Sequence, residues 1–183
     1  MFLAFILAAA PVPPAVIADW KPAIKAREFA FEADHSGALN SVAAAKKAGL
    51  TAEFAAKEFG DGEFTFQRKD SPKVTVMGHT GTPVVVRGDV LYVADFSPIA
   101  NGCKVVAYDL TTGKKAWEKP LAGIGPIDHT KYRNKVAMSV EKHPTENHFA
   151  LVIVGWESAG RYVEVLDLTT GKQLAHKKYD AEK

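Results

Sequence analysis

One hexapeptide occurs twice in this chain: Asp-Leu-Thr-Thr-Gly-Lys stands at 109–114 and again at 167–172. Each copy follows an apolar run, Val105-Val106-Ala107-Tyr108 in the first and Val163-Glu164-Val165-Leu166 in the second. Self-similarity of this kind marks one supersecondary unit used twice. Within each copy, glycine falls where a three-residue hairpin loop, a type I turn closed by a glycine bulge, needs left-handed backbone. The aspartate ahead of it accepts hydrogen bonds from the turn amides. Two equivalent hairpins are therefore expected, with Asp109, Gly113, Asp167 and Gly171 as structural turn residues. The motif needs no ligand to account for it.

The flanking sequence extends the pattern. From Glu63 onward, short runs of β-branched and aromatic residues alternate with polar ones: Phe64 and Phe66, Val74 and Val76, Val84 to Arg87, Val90 to Ala94. Gly88-Asp89 between two such runs is a hairpin signal. Lys135 to Val140 reads as a strand. Phe149 to Trp156 is continuously apolar, as a strand covered on both faces would be. The expected fold is mainly β, with two antiparallel sheets spanning residues 63–183 in units at about 73–120 and 135–179.

Residues 19–62 form a separate N-terminal segment with two short helices expected. Asn40 or Ser41 caps the first, over Val42 to Ala48, and Gly49 stops it. Thr51 caps the second, Ala52 to Phe59, which Gly60 ends, with Leu50 and Ala55 placed for a hydrophobic staple. Upstream, Phe29 and Phe31 suit a strand, and the alanines and glutamates around them suit an amphipathic helix. Both readings stand.

Residues 1–18 carry no charged side chain. Met1 to Ala10 is unbroken apolar sequence, too short to span a bilayer, and Pro11, Pro13 and Pro14 would break a helix there. Val16-x-Ala18 supplies the small-residue end of a secretory signal peptide cleaved before Asp19. That implies an exported chain, periplasmic or extracellular. An uncleaved anchor and a misplaced start are the alternatives. The one cysteine, Cys103, allows no intramolecular disulfide and reads as a buried thiol opening an apolar strand. A net charge of +2 over 183 residues gives no basis for nucleic-acid binding.

The order Gly-Asp-Val-Leu-Tyr-Val, a loop, then Val-Ala-Tyr-Asp-Leu-Thr-Thr-Gly-Lys-Lys-Ala-Trp resembles the blade repeat of quinoprotein-like β-propellers, the pyrroloquinoline-quinone type. Gly88, Tyr92, Ala107, Asp109, Thr112, Gly113 and Trp117 carry the resemblance. The second copy keeps Asp167, Thr170 and Gly171 but has Ala175 in place of the tryptophan. The resemblance implies four-stranded antiparallel blades, two of them here. Propellers close with about four to eight blades. Two sheets either pack on each other as a small sandwich or complete a ring between several chains. The family's enzymes hold a quinone and calcium on the axis of a full propeller, which two blades cannot build. No cofactor is expected.

His143, Glu146 and His148 are the densest group of metal-ligand types. Their spacing fits no helical or knuckle zinc pattern, and Pro144 points to a loop. Asp128-His129 and Asp34-His35-Ser36 come without a nucleophile elbow. Trp117 and Trp156 lie in strand-like runs and read as core. The expected function is a non-enzymatic exported module that binds a protein or another ligand. The alternative is an enzyme with a metal-assisted site around His143 to His148.

Overall fold

The computed structural model describes residues 37–96, 103–121, 135–143, 147–157 and 160–180. One helix, α1 (Gly37–Lys47), precedes eleven strands in three antiparallel sheets, and no barrel closes. The first sheet runs β1 (Thr51–Ala56), β2 (Asp61–Gln67), β3 (Val74–His79). The second runs β4 (Val84–Arg87), β5 (Val90–Phe96), β6 (Cys103–Asp109), β7 (Lys115–Pro120). The third runs β8 (Lys135–Lys142), β9 (Phe149–Glu157), β10 (Gly160–Asp167), β11 (Gln173–Asp180). Every neighbour in each sheet is also the neighbour in sequence, so all three are simple meanders.

Alternation decides which face each strand buries. In β2, Gly62, Phe64 and Phe66 are buried while Glu63, Thr65 and Gln67 are partly exposed. Leu91 and Val93 of β5 join Phe64, Phe66, Val74 and Leu110 in a core between the first two sheets. Tyr92 and Ala94, one residue out of phase, join Leu151, Ile153 and Tyr162 in a second core between the second and third sheets. The second sheet is thus apolar on both faces, and the period of two sends successive side chains to opposite layers. Full burial of a phenylalanine such as Phe64 contributes roughly 2–3 kcal/mol.

Two expectations for the N-terminal region need correction. Residues 52–59 are not a helix: Thr51–Ala56 is strand β1, and Glu58–Gly60 is a single 3-10 turn. β1 pairs with β2 so that Ala52 lies opposite Phe66 and Phe54 opposite Phe64. The Phe54 and Phe64 rings sit 4.4 Å apart. Alanine and glutamate favour helix only weakly per residue, and cross-strand aromatic pairing outweighs them. The proposed Leu50–Ala55 staple therefore does not form.

The first helix exists but begins earlier, at Gly37, so Ser41 lies inside it and caps nothing. The Ser41 hydroxyl instead donates 2.6 Å to the carbonyl of Thr82 and fastens the helix to the approach to β4. Gly49 does end it, at φ +84°, with Leu50 N–H bonding back to Ala45 O at 3.1 Å.

The boundary of the first repeat also moves. Val74–His79 belongs to the first sheet through its pairing with β2, so the first blade-like sheet starts at Val84. The chain holds three sheets, where two were expected. α1, β4 and β8 lead the three units in turn. α1 packs on β1 and β4, and β4 packs on β8. Among the described residues, no helix is long and apolar enough to cross a membrane.

Candidate functional site

Both copies of the repeated hexapeptide form the expected hairpin. Gly113 and Gly171 have φ of +69° and +68°, and each glycine N–H bonds to its aspartate carbonyl, at 2.8 and 2.9 Å. Strand register slips at Ala107/Tyr108 and at Val165/Leu166, equivalent places in the two copies. One oxygen of each aspartate holds the turn. Asp109 Oδ1 accepts from the amides of Thr111 (2.7 Å) and Thr112 (3.3 Å), and from the Thr111 hydroxyl (2.6 Å). Asp167 Oδ1 accepts from the amides of Thr169 (3.0 Å) and Thr170 (2.8 Å), and here the hydroxyl comes from Thr170 (2.8 Å).

These bonds have a measurable electrostatic signature. The Thr111 hydroxyl, ahead of the turn amides, holds the Asp109 carboxyl below the ordinary aspartate value of 3.8. A lowered folded-state pKa favours the fold above the ordinary value, and that contribution is lost as pH falls through the folded value. Thr111→Val is expected to move the Asp109 titration upward toward 3.8 in a carboxyl-carbon NMR titration. An unmoved titration would assign the shift to something other than this hydroxyl.

Substitution tests the same turns. Gly113→Val is expected to destabilise by about 1 kcal/mol or more, because a β-branched side chain opposes positive φ. Thr112→Val is expected to cost less. Gly171→Val should exceed Gly113→Val, because a Cβ at Gly171 would stand 2.6 Å from the Trp117 ring. Equal urea midpoints for the Gly113 and Thr112 variants would sink the turn assignment.

The hairpins are also where neighbouring sheets meet. Trp117, on β7, lies against Gly171 in the third sheet's turn, and its Nε1–H donates to Leu168 O at 3.0 Å. Tyr92 Oη donates to the same carbonyl at 3.1 Å, and the Tyr92 and Trp117 ring centroids are 5.8 Å apart. Burial, with Arg87 opposing and Asp167 adding, pushes the Tyr92 phenol up to about 12. One sheet earlier, Pro72 in the β2–β3 connection takes the corresponding place: a Cβ at Gly113 would meet Pro72 Cβ at 2.9 Å. The sequence reading gave Trp117 to the core without saying which sheet it would join. Pro72 was missed, and no local pattern signals it, because its role exists only across the gap between sheets.

Around the second turn lies the group singled out for metal chemistry. His143 is buried, and its backbone N–H donates to His148 O at 2.7 Å, closing the β8–β9 connection. His148 Nε2 stands 3.9 Å from Asp167 Oδ2. Glu146 lies outside the described residues. Among the described residues, no three acidic, histidine or cysteine side chains converge on a metal-sized site. The Arg87 guanidinium sits 3.4 Å over the Phe149 ring, a cation–π contact tying β4 to β9. Asp34-His35-Ser36, Asp128-His129, Trp20 and residues 1–18 lie outside the described residues, as does the side chain of Trp156.

A comparison with family models and with curated proteins finds no match for this chain.

Proposed function

We propose that the chain is an exported, non-enzymatic interaction module built on blade-like repeats of the quinoprotein type. The observation that carries the reading is where the repeated residues are used. Asp109 and Asp167 hold their own turns, and Trp117 and Tyr92 bond to Leu168 of the next sheet. The shared motif is scaffold, so recognition is assigned to positions where the copies diverge. Lys115 and Glu118 on β7 stand where β11 has Gln173 and His176, and Lys115, Glu118 and His176 are exposed. The Lys115–Glu118 ion pair at 2.6 Å is solvated and adds little stability, which leaves it free to change partners.

Cross-linking in the native envelope, followed by capture of the full chain, is expected to recover a defined protein or ligand. Lys115→Glu with His176→Glu is expected to abolish that capture while leaving the urea midpoint unchanged. Recovery of the chain alone would overturn the reading. The enzyme alternative centred on His143, Glu146 and His148 makes a different prediction, a stoichiometric metal that is lost in His148→Ala. The interaction reading predicts no bound metal in either protein.

A further inference from the structure

The three sheets end differently. On the outer face of the first sheet, Glu53 lies beside Thr65 and Thr75, and Glu63 beside Met77. That face is polar apart from Met77 and suits water. The outer face of the third sheet is the reverse: Ala150, Val152, Val154, Val163, Val165 and Leu174 are all buried in one cluster. The other two cores each draw on two sheets. Among the described residues, this cluster draws on β9, β10 and β11 alone. A sheet face this apolar requires a second layer.

We infer that the N-terminal segment 19–36 supplies that layer and closes the array at its third sheet. The inference rests on the reading of residues 1–18 as a leader removed before Asp19. A second copy fits poorly in a head-to-tail arrangement, because the face it would offer is the polar one bearing Glu53 and Glu63. Length fits the N-terminal segment. Packed layers lie about 10 Å apart, so the path from α1 past β4 and β8 to the far side is roughly 30 Å. Nine or ten extended residues span that distance at about 3.3 Å each. Phe29 stands 8 residues before Gly37, Ile24 13 and Trp20 17. These apolar side chains fall at or beyond the reach point, and Lys25, Arg27 and Glu28 between them face water in either helical or extended form.

The test places a photoreactive benzophenone side chain at position 24 of the full chain, expressed with its leader. Intact mass reports whether residues 1–18 are removed. Irradiation and peptide mapping are expected to join position 24 to residues 149–157 or 160–167 of the same chain. Ile24→Asp with Phe29→Asp is expected to raise binding of an apolar fluorescent dye severalfold in a protein that retains its far-ultraviolet spectrum. Cross-links to the first sheet, to a second copy or to nothing, with the leader removed, overturn this inference and leave the exported-module reading intact. A retained leader, with a probe at Leu7 joining the third sheet, overturns both the leader reading and the inference built on it.

Discussion

Gly155→Ala is expected to destabilise the protein by about 3 kcal/mol, the largest effect of any single methyl addition in the chain. Gly155 lies opposite Tyr162 in the β9–β10 ladder. The Tyr162 ring folds across the glycine, and a Cβ there would fall inside contact distance of Cζ, Cε1 and Oη. The ring has nowhere to withdraw, because Tyr162 is 1% exposed in the core shared by the second and third sheets. Cores are packed near crystal density, so the clash must be met by moving strands or by an off-rotamer side chain. A double-mutant cycle separates this from a general cost in the strand. Tyr162→Leu carries its own penalty, but Gly155→Ala in that background should cost less than 1 kcal/mol. Equal costs of Gly155→Ala in both backgrounds, read from urea unfolding at constant slope, would refute the ring-over-glycine account.

Trp117→Ala is the second large effect, at about 3 kcal/mol. Trp117 is the side chain of β7 that reaches the next sheet, covering Gly171 and donating to Leu168 O. Removing it opens a gap between two sheets and leaves that carbonyl with only the longer bond from Tyr92. Trp117→Phe keeps part of the packing and removes only the donor, so about 1 kcal/mol is expected from the lost bond, plus a packing remainder. The dock also predicts coupling: Gly171→Ala should cost less beside Trp117→Ala than alone, since its Cβ would meet the Trp117 ring at 2.6 Å. Additive effects would mean that tryptophan and turn do not touch. Ala175 holds the equivalent position in the third sheet, the last described in the chain.

Reading the sequence locates some of these features and misses others for identifiable reasons. Gly88-Asp89 closes a two-residue hairpin, with φ +56° at Gly88 and Arg87 opposite Val90, because the turn chemistry is complete within four residues. Gly49 stops the helix for the same reason. Thr51–Ala56 was misread because its composition favours helix, and only Phe64 and Phe66, ten or more residues away, show that a strand is required there. Val74–His79 was assigned to the wrong sheet because a strand's own residues fix its pattern but not its partner. The candidate histidines show the same limit. Pro144 correctly implied a turn near His143 and His148, but the approach of His148 to Asp167 joins segments whose contact no spacing rule contains.

The sequence by itself determined the hairpins. Asp109 with Gly113, and Asp167 with Gly171, form turns whose bonds lie within six consecutive residues, so no distant partner is needed to specify them. It also determined the alternation that makes both faces of the second sheet apolar. Tertiary structure alone decided the number of sheets, the strand identity of residues 51–56, the seat of Trp117 on Leu168 and the apolar face left at β9–β11. Those features depend on contacts between residues far apart in the chain. Their free energy comes from burial against a particular neighbour, and a linear pattern records that a face is apolar but not what will cover it.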